Sequence, residues 1–103
     1  MWIDFKKYNL PIEDIELDEE DQILVLKTSS YNFEFRACGS NFGLTQFKII
    51  DKPFSFIIGK IIKDMNDTQI SFVDTDEVFN FIIENDENKE VWIIAKICDN
   101  LEE

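Results

Sequence analysis

The sequence predicts an all-β domain, an antiparallel β-sandwich or barrel of about seven or eight strands with room for one short helix. Three observations carry that reading. Ile, Val and Thr together supply 24 residues, whereas Ala occurs only at Ala37 and Ala95; branched side chains lose rotamer freedom in helices and pack well on pleated sheets. Apolar and polar residues alternate with period two in several short runs. Turn-forming clusters separate those runs at regular intervals. At 103 residues and 45% apolar composition, residues 1–103 form one domain that can bury a core without staples. The composition is too apolar for a disordered acidic tail.

The runs follow in chain order. Gln22 to Thr28 places Ile23 and Val25 on one side and Leu24 and Leu26 on the other. Tyr31, Phe33, Phe35 and Ala37 alternate with Asn32, Glu34, Arg36 and Cys38, the pattern of a half-buried strand. Leu44 to Ile50 sets Thr45, Phe47 and Ile49 against Gln46 and Lys48. Phe54 to Ile62 reads as a further strand buried in part on both sides, with Gly59 marking a bulge. Gln69 to Val73 and Val91 to Cys98 complete the strands. Turns are expected at Ser29-Ser30, residues 39–43, Asp51-Lys52-Pro53 and residues 64–67.

Residues 74–90 carry two competing patterns. Asp74-Thr75-Asp76-Glu77 resembles a helix N-terminus, with Val78, Phe79, Ile82 and Ile83 on one helical face. Phe79, Phe81 and Ile83 also alternate as a strand, and residues 86–89 would then loop back into the Val91 run. The hairpin is favoured, because its loop length is ordinary and the rest of the chain is strand-rich.

Charge is the strongest functional signal. The net charge is −12, no histidine is present, and seven of the nine residues from Glu13 to Asp21 are carboxylates. Residues 1–21 sum to −6, residues 22–63 to +4 and residues 64–103 to −10. Like charges repel, so a fold does not acquire such density for its own stability. As a solvated loop, Glu13–Asp21 keeps the chain soluble; as a contact surface, it attracts a basic protein. Three clusters favour the contact surface: Glu13–Asp21, Asp74–Glu77 and Glu84–Glu90. The candidate partner-binding residues are Glu16, Asp18, Glu19, Glu20, Asp21, Asp74, Asp76, Glu77, Glu84, Asp86 and Glu87. Trp2, Tyr8, Tyr31 and Trp92 are candidate apolar anchors, although Trp92 lies inside an apolar run and reads as core.

Catalytic chemistry is not expected. Without histidine, Ser-His-Asp and Cys-His arrangements are excluded. No carboxylate pair stands out as a glycosidase pair, and Gly39 and Gly43 make no phosphate-binding loop. Cys38 and Cys98 have no zinc spacing; two buried thiols are favoured over one disulfide. The acidic clusters lack the spacing and glycine of an EF-hand loop, so neither a metal nor another cofactor is expected. Net acidity disfavours nucleic-acid binding. The opening residues lack the apolar stretch of a signal peptide, and no apolar run is long enough to cross a bilayer, so a cytoplasmic monomer is expected.

The chain resembles the small acidic immunity proteins of bacterial toxin–immunity systems, especially the contact-dependent growth inhibition type. The likeness lies in short length, strand-rich composition, acidity and openings such as Trp2-Ile3-Asp4-Phe5 and the run from Leu10 to Asp18. It implies a non-enzymatic protein that binds a cognate basic toxin, usually a nuclease, and blocks its active site or an exosite. Two other readings fit the composition: a nucleic-acid mimic that inhibits a host DNA-binding protein, and an acidic scaffold subunit.

Overall fold

Tyr31, Phe33, Phe35 and Ala37 all turn inward, as their alternation requires, and form the central seam of the molecule. A computed structural model describes residues 3–40, 44–87 and 89–99. Among these residues, eight strands form two four-stranded antiparallel sheets: β1 (Asp14–Asp18), β2 (Ile23–Lys27), β3 (Tyr31–Gly39), β4 (Thr45–Ile50), β5 (Ile62–Met65), β6 (Gln69–Phe72), β7 (Val78–Asn85) and β8 (Val91–Asp99). One sheet has the order β1-β2-β3-β8 and the other β4-β7-β6-β5. The protein is an all-β sandwich.

The inner faces meet in a phenylalanine-rich core. Leu24, Leu26, Phe33, Phe35 and Ile93 from the first sheet face Phe47, Ile62, Ile70, Phe72, Phe79 and Phe81 from the second. Burying each of these side chains contributes roughly 1.5–3 kcal/mol before entropy is charged against it. Phe5, on a 3-10 turn at Phe5–Lys7, packs into this core with its ring 5.5 Å from Phe33. The Tyr31 hydroxyl accepts the Leu10 N–H at 3.2 Å and so fastens the segment that follows.

Residues 74–90 contain the expected strand and, among the described residues, no helix, since Asp74–Glu77 is a loop. The favoured hairpin does not form: β7 pairs with β4 and β6 in the second sheet and β8 with β3 in the first, so the connection between them passes from one sheet to the other. Asp74 takes φ 68°, a left-handed conformation that Asp tolerates better than most residues. Two segments differ from expectation. Glu13–Asp21 is not simply a loop, because its Ile15 and Leu17 turn half-buried against the core and make β1 an edge strand. Phe54–Ile62 is not one strand. Pro53 precedes a 3-10 turn at Phe54–Phe56, Gly59 takes φ 88°, and β5 begins only at Ile62. Ile12 holds this detour: its N–H donates to the Lys60 carbonyl and its carbonyl accepts the Gly59 N–H. The turn expected at 64–67 accordingly moves to residues 66–68, where Asn66 Oδ1 accepts the N–H groups of Thr68 and Gln69. Of the turn expected at 39–43, residues 41–43 lie outside the described residues.

Candidate functional site

The β1–β2 turn is built to hold its carboxylates outward. Asp18 Oδ1 accepts the N–H groups of Glu20 and Asp21 at 3.1 and 3.3 Å. Gln22 closes the turn in a left-handed conformation, φ 54°. Its buried side chain donates to the Glu19 carbonyl at 2.8 Å and accepts the Phe47 N–H at 2.9 Å. Its carbonyl accepts the Ala37 N–H at 3.1 Å. One residue therefore ties the turn to β3 and, across the sandwich, to β4.

The β7–β8 loop is fixed in the same manner. Asn85 is buried; its Oδ1 accepts the N–H groups of Glu87 and Lys89, and its Nδ2 donates to Thr45 Oγ1 at 2.7 Å. The Asp86 N–H donates to the Leu44 carbonyl, and the Ser40 N–H donates to the Glu90 carbonyl. Gly39 crosses this cluster, and a Cβ there would strike the Thr45 hydroxyl and the Asn85 amide.

Strand register brings the two acidic segments to one end. Ile23 pairs with Arg36, and Gly39 with Val91, so the β1–β2 turn and the start of β8 lie at the same end of the first sheet. Thr45 pairs with Asn85 at that end of the second. Glu19, Glu20, Asp21, Asp86 and Glu87 thus share a rim, all exposed. Asp18 and Glu16 continue it along the outer face of edge strand β1, and Glu84 sits just below it on the outer face of β7, opposite Gln46.

The middle cluster does not join them. Asp74, Asp76 and Glu77 precede β7, at the opposite end of an eight-residue strand, a separation of about 24 Å at ~3.4 Å per residue. Their loop is self-contained, with Thr75 Oγ1 accepting the Glu77 N–H. On the rim, Asp21 lies 4.0 Å from Arg36, and Glu16 lies 3.1 Å from Lys27. Exposed pairs of this kind contribute little to stability. Among the described residues, no cation lies within ion-pair distance of Glu19, Glu20 or Asp86.

The aromatic candidates separate. Tyr31 is buried, and Tyr8 stacks edge-on against it at 5.2 Å. Trp2 lies outside the described residues. Trp92, read as core, is 38% exposed on the outer face of β8. The run is apolar on both faces, so only the burial of Ile93 reveals which side points out. Gln22, Asn85 and Gly39 escaped the sequence reading, because a single amide or glycine carries no periodic signal.

The cysteines are free and half-buried. Cys38 pairs with Trp92 and Cys98 with Asn32, at opposite ends of the β3–β8 ladder, too far apart to be bridged. Partial burial pushes the Cys98 thiol up, and the neighbouring Glu34 adds to the effect through a hydrogen bond and its charge. Among the described residues, no three of Cys, Asp and Glu converge as a metal-holding group, and no helix is long and apolar enough to cross a membrane. No protein family, curated protein or solved structure matches the chain.

Proposed function

We propose that this chain is a non-enzymatic immunity-type inhibitor that docks a cognate cationic toxin, a nuclease in the simplest case, on the acidic rim. The reading is supported by one observation above all. Two acidic segments more than sixty residues apart, Glu19–Asp21 and Asp86–Glu87, are held at one end of the sandwich by Gln22 and Asn85. A backbone fixed in advance loses little freedom on binding. They would stand in for the phosphates that a nuclease groove receives. A field of this kind raises association toward roughly 10⁸–10⁹ M⁻¹s⁻¹ at low salt, and an interface of about 1,600 Å² is sufficient for tight binding.

The test is a binding measurement with the product of the adjoining reading frame. The combined change Glu19→Gln, Glu20→Gln, Asp21→Asn and Asp86→Asn should slow association and flatten its salt dependence. Asp18 is left intact because its carboxylate holds the turn. Asp74→Asn, Asp76→Asn and Glu77→Gln together should change association far less. Equal effects from the two sets would remove the rim as the docking surface.

A further inference from the structure

A sandwich exposes four edge strands, and three of these are guarded. β1 is short and carries Asp14, Glu16 and Asp18 on its outer face. β4 and β5 are short and each is interrupted by a register shift. Such charges and bulges discourage pairing with another chain. β8 has no bulge, and its charges are confined to Lys96 and Asp99. It runs nine residues in unbroken register with β3, contains no Pro or Gly, and exposes Trp92 at 38% and Ile94 at 52%. Among the described residues it pairs with β3 alone, so its other side presents unpaired main-chain groups.

We propose that β8 is a homodimer edge: a second copy of this chain pairs with it antiparallel, about a two-fold axis through Ile94. The sequence of the strand is self-complementary in that register. On the outer face, Ile94 meets Ile94 of the second copy and Trp92 meets Lys96, a cation over an aromatic ring. On the inner face, Val91 meets Ile97 and Ile93 meets Ala95, both apolar pairs, and at the strand end Asp99 meets Lys89, an opposite charge. Val91, Ala95 and Ile97 are only half-buried as the edge stands, and the added strand covers them.

Space and charge agree with this occupant. Beside Ala95, Lys96 and Ile97 lies a groove of about 370 Å³ whose far wall is Ile3, Asp4, Lys7 and Tyr8. In the proposed register it receives Val91 to Ile93 of the second copy. A chain of net charge −12 resists self-association unless its acidic groups stay apart. Antiparallel pairing points the two acidic rims in opposite directions, and the strands meet where Lys96 lies beside Glu34. The dimer is an isologous, closed two-fold assembly that leaves both rims open. It does not depend on what the rims bind.

Sedimentation across a concentration series tests the proposal. The intact chain should pass from monomer to dimer as concentration rises. Ile94→Lys sets two lysines face to face at the axis and should weaken the dimer by about tenfold or more. Trp92→Lys should weaken it similarly by opposing Lys96, whereas Trp92→Glu should restore it. These positions are exposed in the monomer, so an unchanged far-ultraviolet spectrum establishes that the fold survives. In a Cys38→Ala, Cys98→Ala background, Ile94→Cys should cross-link to itself on oxidation and Lys96→Cys should not. A monomer at every concentration, or a dimer indifferent to Ile94→Lys, overturns the proposal.

Discussion

Gln22 Oε1 accepts the main-chain N–H of Phe47 at 2.9 Å, joining the tip of one sheet to an edge strand of the other. Both partners are buried. Removing the acceptor leaves a buried N–H without a partner, at a cost of about 1–3 kcal/mol. Gln22 is also one of two non-glycine residues at positive φ among the described residues, a conformation that costs an ordinary side chain about 1–2 kcal/mol. Gln22→Ala should therefore destabilise the fold more than Gln22→Gly, which loses the same bonds but relaxes the backbone. Urea denaturation of the two variants separates the contributions. If Ala and Gly cost the same, the left-handed turn stores no strain.

Gly39 makes the corresponding close approach at the β7–β8 loop. Its Gly39→Ala methyl would meet Thr45 Oγ1 and Asn85 Nδ2, which already bond to each other at 2.7 Å. Overpacking of this kind costs about 1–3 kcal/mol. Thr45→Ala removes the hydroxyl that is struck, so the double variant should recover part of the loss. A thermal-denaturation cycle measures that coupling; simple additivity would place the cost elsewhere.

What the sequence disclosed follows from which strands have one dry face. Tyr31 to Ala37 is legible because buried aromatics alternate with polar residues that face water. β1 has the same alternation, but only Ile15 and Leu17 mark it, and the carboxylates around them read as a loop. Phe54–Ile62 is mostly apolar, with Ser55 and Lys60 in no strand period, so its pattern does not show the turn that Pro53 and Gly59 impose. Trp92 was misplaced for a related reason: β8 is apolar on both faces, and its inward parity is set by the partner strand. The acidic clusters were visible individually. Which of them share an end depends on pairings such as Ile23 with Arg36 and Thr45 with Asn85, and no local pattern encodes those.

Asp51 provides a pH prediction with a definite sign. Its carboxylate accepts the Asn80 side-chain amide at 2.9 Å and the Asn80 N–H at 3.2 Å. The Asn80 side chain is the main reason that its pKa lies below the ordinary 3.8; the Asn80 N–H and Lys52 lower it further, against some desolvation. A carboxyl with a depressed folded value binds fewer protons folded than unfolded. Its contribution is present above 3.8 and disappears as the pH falls through the folded value. Asn80→Ala should return the Asp51 titration midpoint toward 3.8, read by carboxyl carbon NMR. Lys52→Ala should move it in the same direction by less. A midpoint unmoved by Asn80→Ala would show that the amide does not hold the charge.

The acidic rim should reduce stability even though, in the proposed function, it speeds association. Glu19, Glu20 and Asp86 have no cation within ion-pair distance among the described residues, and Asp18, Asp21 and Glu87 adjoin them in the chain. Repulsion between exposed charges is screened over a Debye length of about 10 Å at 0.1 M salt. Added salt should therefore raise the melting temperature of the intact chain. Glu19→Gln, Glu20→Gln and Asp86→Asn together should raise it at low salt and blunt its response to more salt. Each change is worth no more than about 0.5 kcal/mol, as for most exposed positions. The same triple change should slow binding to a cationic partner. Opposite signs in the two experiments mark a surface maintained for contact at the expense of the fold. A rim that stabilises the free protein would instead be ordinary surface.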